Sequence, residues 1–152
     1  MIIGTVCRNI NFTYSLQRRR ERYQIIYIWK ILEGLVPNPV INHSICSGNF
    51  IECHISQRLG RFCKFPSINN FTNSYIKTLK FNSFHIHGCR LFNTLPMDIR
   101  NISDTTVDNF KCKLDMFLSS IPDLPPLPGL KKFCPAISNS IIHMIEWQWQ
   151  IN

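Results

Sequence analysis

The stretch "YSLQRRRERYQIIYIWKILEGLVPNP", Tyr14 to Pro39, decides how the rest of the chain is read. From Leu16 to Leu35 the apolar residues Ile25, Ile28, Trp29, Leu32 and Leu35 recur at helical spacing. Ser15 stands where an N-cap belongs, and Gly34 followed by "VPNP" ends the run. Four arginines, Arg18, Arg19, Arg20 and Arg22, fall in the first turns with only Glu21 among them. A helix N-terminus carries the positive pole of the helix dipole and unpaired N–H groups, so an exposed cation there costs roughly 0.3–1 kcal/mol. An anionic partner would reverse that sign.

The chain as a whole is basic. Its 152 residues suit one domain, or a smaller folded core with loose ends, and 45% hydrophobic residues suffice for a core. The formal net charge is +8 and the pI is near 9.3. Between Glu52 and Asp98 there is no acidic residue, whereas Arg58, Arg61, Lys64, Lys77, Lys80 and Arg90 all lie in that interval. Such a block attracts polyanions whatever the fold.

The seven cysteines, at 7, 46, 53, 63, 89, 112 and 134, form an odd set with no CxxC pair, unlike a secreted disulfide framework. "MIIGTVCRN" is too short an apolar run for a signal peptide or a membrane span. The expectation is a reduced, intracellular protein of cytoplasm or nucleus, with no membrane association.

Working outward, the twenty or so residues after Pro39 are polar and mixed and read as a loop. "RLGRFCKFPSINNFTNSYIKTLKF" has aromatic and basic runs on either side of the turn-forming "SINN", which predicts two strands of a basic hairpin. "SFHIHGCRLFNTL", Ser83 to Leu95, alternates briefly like a strand. Phe84, Gly88, Leu91 and Leu95 nevertheless share a helical face up to Pro96, and the helix is the better reading. "SDTTVDNFKCKLDMFLSS" predicts a helix over Thr105–Ser119, capped by Ser103 or Thr105. Asp104 and Asp108 lie near its positive pole, and Val107, Phe110, Leu114, Phe117 and Leu118 share one face. "IPDLPPLPGL" reads as an exit linker. Beyond it, Ile145, Trp147, Trp149 and Ile151 alternate with polar residues, as in a strand or an apolar tail that needs a partner.

These readings give an α+β, mostly helical fold: about three helices, a basic β-hairpin and loose termini. The chain divides into an extension over 1–13, a module over 14–121, and a proline-rich exit with an apolar tail over 122–152.

The candidate phosphate-binding residues are Arg18, Arg19, Arg20, Arg22, Arg58, Arg61, Lys64, Lys77 and Lys80. Phe62, Phe65, Tyr75 and Phe81, interleaved among them, suit either base stacking or a hairpin core. In "HIHGC", a strand would align His85, His87 and Cys89 as zinc ligands with Cys53, His54 or Cys63 as a fourth, whereas a helix separates the two histidines. No metal or cofactor is expected. A cysteine nucleophile with a histidine base has no supporting motif around any of the cysteines.

In that order, "YSLQRRRERYQIIYIWKILEGLVPN", "LFNTLPMDIRN" and "DNFKCKLDMFLSSIPDLP" resemble the C-terminal region that follows the polymerase domain in reverse transcriptases of jockey-like non-LTR retrotransposons. The resemblance runs from about Tyr14 to Pro125. Two departures stand out: His85 and His87 occupy positions that are usually arginine in the family, and Met1–Phe12 has no counterpart. In that family the catalytic carboxylates of the Tyr-x-Asp-Asp signature lie upstream, and no two acidic residues are adjacent in this chain.

The resemblance therefore implies a noncatalytic region that contacts template RNA or DNA through phosphate, or packs on the polymerase domain of a parent element. A protein-docking module, with Trp147 and Trp149 as anchors, is the alternative from a different class. A remnant reading frame with no selected function is the third.

Overall fold

Trp29 sets the centre of the molecule. Its ring stacks on Phe110 with centroids 4.5 Å apart and planes 7° from parallel, and its indole N–H donates to the Ile102 carbonyl at 2.8 Å. A buried tryptophan needs both an apolar surface and an acceptor, and these come from opposite ends of one short segment. The structure, a computed structural model, describes residues 14–36, 51–64, 72–123 and 140–151.

Among the described residues there are six helices and one antiparallel hairpin, and the fold is a mostly helical α+β module as the sequence predicts. Helix α1 (Leu16–Leu32) packs chiefly on α3 (Phe84–Thr94) and also on α5 (Val107–Ser119). The hairpin of β1 (Glu52–Ser56) and β2 (Gly60–Lys64) lies on α3 and on the short α4 (Met97–Arg100). Helix α2 (Ser74–Phe81) and helix α6 (Ile141–Ile151) also rest against α3. Ile25, Ile28, Trp29, Leu91, Phe92, Phe110, Leu114, Leu118 and Ile141 are all sealed from solvent in one core.

The local reasons follow the sequence closely in α1. The Ser15 hydroxyl accepts from the Arg18 amide at 3.2 Å. At the other end Gly34 turns to φ +69, and the amides of Gly34 and Leu35 donate to the carbonyls of Ile31 and Lys30 at 3.0 and 2.9 Å. This is the paired hydrogen-bond pattern of a Schellman stop, which favours glycine at its left-handed position. Helix α3 ends at Leu95 before Pro96, and Gly88 is where it crosses α1: a Cβ there would lie 2.9 Å from Ile28 Cγ1. Helix α5 presents Phe110, Leu114 and Leu118 to the core as expected, with Val107 and Phe117 partly buried beside them.

Four expectations are corrected. The hairpin is not built around "SINN"; it pairs Glu52–Ser56 with Gly60–Lys64 about the turn at 57–59, with Cys53 opposite Cys63 and His54 opposite Phe62. Residues read as its second strand form α2 instead, started by Asn73, whose side chain accepts from the Tyr75 and Ile76 amides. The stretch read as loop after Pro39 therefore ends in a strand, while 37–50 lies outside the described residues, as do 1–13 and "SINN" itself.

The cap of α5 is Thr106, accepting from the Asn109 amide, in place of Ser103 or Thr105. Thr105 accepts from the Asn109 side chain, and Asp104 adopts φ 52, a backbone region that aspartate tolerates better than most residues. The alternating tail is a helix, because Ile141, Ile142, Met144 and Ile145 are buried on the helix bundle rather than paired along a sheet. Finally, Cys112 is disulfide-bonded, so the cysteines are not all reduced. Cys53, Cys63 and Cys89 are free thiols.

Candidate nucleic-acid interface

The arginine-rich start of α1 is met by acids from the far end of the chain. Asp123 supplies the carboxylate that the first turn lacks: it accepts from the Ser15 amide at 2.6 Å and from the Ser15 hydroxyl at 2.8 Å. Arg18 is fully buried. Its Nη2 donates to the Pro122 carbonyl at 2.7 Å and its Nε lies 4.0 Å from Asp123 Oδ1. Burial pulls this guanidinium below its usual pKa, against the opposing pull of Asp123 and Glu21.

Arg22 makes a two-pronged contact with Asp115, Nε and Nη2 donating at 2.5 and 2.6 Å. That contact raises its pKa above the ordinary range despite partial burial. Arg22 is thus met inside the fold, whereas Nε and Nη1 of the buried Arg18 have no hydrogen-bond partner. Arg19 and Arg20 are the two members of the cluster left facing solvent.

Glu21 is the counterpart of Asp123. It is buried and accepts from the amide of Ile141, the first residue of α6, at 2.6 Å and from the Gln17 side chain at 2.8 Å, with His87 Nε2 at 3.7 Å. Burial alone would raise this carboxyl. The imidazole of His87, the Ile141 amide, Ser140 and Gln17 outweigh it and hold the group below its ordinary value. One carboxylate therefore sits at the N-terminus of each of α1 and α6, where the dipole favours it.

The acid-free interval separates in the same way. Arg61 is buried, donating to the Ile102 carbonyl at 2.8 Å and pairing with Glu33 Oε1 at 2.8 Å. Although burial opposes it, hydrogen bonds with Cys53 and Glu33 raise its pKa. Arg58 stands exposed on the hairpin turn, Lys64 is exposed at the end of β2 opposite Glu52 in the register, and Lys77 is exposed on α2. Lys80 is half-buried on the same helix.

Tyr75, Ile76 and Leu79 on α2 are exposed too, and no residue of that helix is buried. Phe62 stacks with His54 across the hairpin, and Phe81 lies under the Arg90 guanidinium at 4.0 Å. Phe62 is engaged within the hairpin, whereas Phe81 is exposed with Arg90 over one face of its ring. Phe65 is outside the described residues.

A cleft of about 200 Å³ opens between α1, α3 and α6, lined by Glu21, His87, Arg90, Ser140 and His143. It is smaller than the ~300 Å³ at which ligand pockets usually begin. No sequence signal marked it, because its groups converge from separate elements, Phe81 of α2 among them. Helix α3 turns His85 onto Phe84 and His87 toward Glu21, while Cys89 is buried. Among the described residues no three of His, Cys, Asp or Glu converge on a metal position, and no helix is long and apolar enough to cross a membrane. No protein family, curated protein or solved structure matches the chain.

Proposed function

We propose that this chain is a noncatalytic nucleic-acid-binding module of the kind that follows the polymerase domain in jockey-like retrotransposon reverse transcriptases. It holds RNA or DNA weakly through phosphate, and in a parent element it would pack on the polymerase domain. The resemblance over Tyr14–Pro125 supplies the family. The observation that carries the binding reading is that Arg19, Arg20, Arg58 and Lys77 remain exposed, while Arg18, Arg22 and Arg61 draw Asp123, Asp115 and Glu33 into internal contacts. Acids are thereby removed from the surface along with bases, and the positive excess stays on the outside.

Titration of the purified chain against fluorescent single-stranded RNA and duplex DNA at two salt concentrations tests this reading, with circular dichroism on the same sample. On single strands log K should fall against log salt by about 0.7 per contacted phosphate. Changing Arg19, Arg20, Arg58 and Lys77 together to Gln should weaken binding and flatten that slope. Affinity that ignores salt would overturn the reading.

The exposed row Tyr75, Ile76 and Leu79 on α2 favours a second reading, docking onto a protein. Docking would survive the four-residue change and fail when those three residues become polar.

A further inference from the structure

The hairpin register brings three free thiols into a line that runs from solvent to core. Cys53 on β1 stands directly opposite Cys63 on β2. Opposed residues of an antiparallel pair point to the same face with Cα atoms about 4.5–5.5 Å apart, inside the roughly 4.4–6.8 Å range that a disulfide spans. Cys89, from α3, is sealed from solvent and lies near enough to Cys63 to push its thiol's pKa up.

The middle sulfur is held in place from both sides. The Cys63 amide donates to Asn93 Oδ1 at 2.7 Å, and Asn93 Nδ2 donates back to the Cys63 carbonyl at 2.9 Å, so β2 is clamped to α3 at this residue. Cys53 alone of the three is exposed. Cys53 also raises the pKa of Arg61, whose guanidinium is anchored to Ile102 and Glu33.

We propose that Cys53, Cys63 and Cys89 form a thiol relay in which Cys53 takes up oxidation from a small disulfide such as glutathione disulfide and Cys63 resolves it as a cross-strand bond. In the first step the Cys53 thiolate attacks one sulfur of the small disulfide. A mixed disulfide forms and one small thiolate leaves. The thiolate that left takes a proton from solvent; in the second step Cys63 attacks the Cys53 sulfur, and its proton passes to the other small thiolate as that group is expelled.

Two protein thiols have then become one disulfide, and one small disulfide has become two small thiols. Cys89 can next attack Cys63 and release Cys53, its proton passing to the departing Cys53 sulfur, which moves the bond inward without further oxidant. The first bond staples the hairpin to itself; the second staples it to α3. The adjoining Cys89 sulfur and burial push the Cys63 thiol well up.

Incubating the full chain with glutathione disulfide, followed by alkylation and non-reducing peptide mapping by mass spectrometry, tests the relay. The expected sequence is a glutathione adduct on Cys53 that gives way to a Cys53–Cys63 or Cys63–Cys89 linked peptide, with a net loss of two hydrogens. Cys53→Ser should lose both linked peptides, and Cys63→Ser should leave the Cys53 adduct in place. An adduct that persists on the unaltered chain, or that is cleared as fast in Cys63→Ser, would overturn the proposal. So would a Cys63–Cys89 bond that forms as fast in Cys53→Ser.

Discussion

The first turns of α1 and the flank made by the hairpin and α2 look alike in sequence, each a run of cations with little acid nearby, but the fold treats them oppositely. At α1, Asp115 and Asp123 arrive from 93 and 108 residues away to meet Arg22 and Ser15, and Arg18 is buried beside Asp123. On the flank Arg61 is met by Glu33, whereas Arg58 and Lys77 stay in solvent. Local charge pattern locates the cations. Whether they are neutralised depends on which distant segments pack beside them.

The largest effect that would break this contrast lies at Arg18. Its truncation to Ala should cost about 3 kcal/mol, as for emptying a large buried side chain, with Asp123 keeping its bonds to Ser15. Arg18→Met should recover most of that loss, since a shape-filling apolar residue avoids burying a charge. Denaturant unfolding of both variants makes the comparison. If the two were equally destabilised, the ion pair rather than the packing of the side chain would be the main contribution.

Next comes Glu21→Gln, expected to cost about 2 kcal/mol at neutral pH, the scale of hydrogen bonds to a buried charge. The folded carboxyl titrates below its ordinary 4.5. Its contribution is therefore complete above that value and is lost as pH falls through the folded pKa. Thermal melts of parent and variant should converge on acidification, and a gap that stays constant would show that Glu21 is not ionised in the fold.

Smaller still is the Arg22–Asp115 pair. With side-chain exposures of 17% and 26%, its coupling in a double-mutant cycle should be about 1 kcal/mol and should shrink in salt. Smallest is the stability change on converting Arg58 and Lys77 to Gln, within about 0.5 kcal/mol as for exposed sites generally, although nucleic-acid affinity should fall. A marked loss of stability there would mean that the flank has internal partners after all, and the contrast with α1 would narrow.

Much of the helical framework was legible. Ser15, Gly34 and Pro96 act within one turn of themselves, so the limits of α1 and α3 could be read without knowing the fold. The face of α5 could be read from Phe110, Leu114 and Leu118 for the same reason. The hairpin was half legible: β2 lies within the predicted strand region, but its partner lies before it in the chain, and α2 was mistaken for a strand because a run of eight residues is short for either pattern. Of the candidate site, the acid-free interval was legible and the internal engagement of Arg18, Arg22 and Arg61 was not.

By itself the sequence determined that the chain would be basic, mostly helical and stopped at Gly34 and Pro96, because composition and short-range capping depend on neighbours along the backbone. Tertiary structure alone decided that the alternating tail would coil into α6, that Asp123 and Glu21 would cap helices far from them, and that Cys53, Cys63 and Cys89 would line up. Each of these outcomes depends on contacts between segments distant in the chain. Their free energy exists only once a packed core has brought the segments together, and no local pattern encodes it.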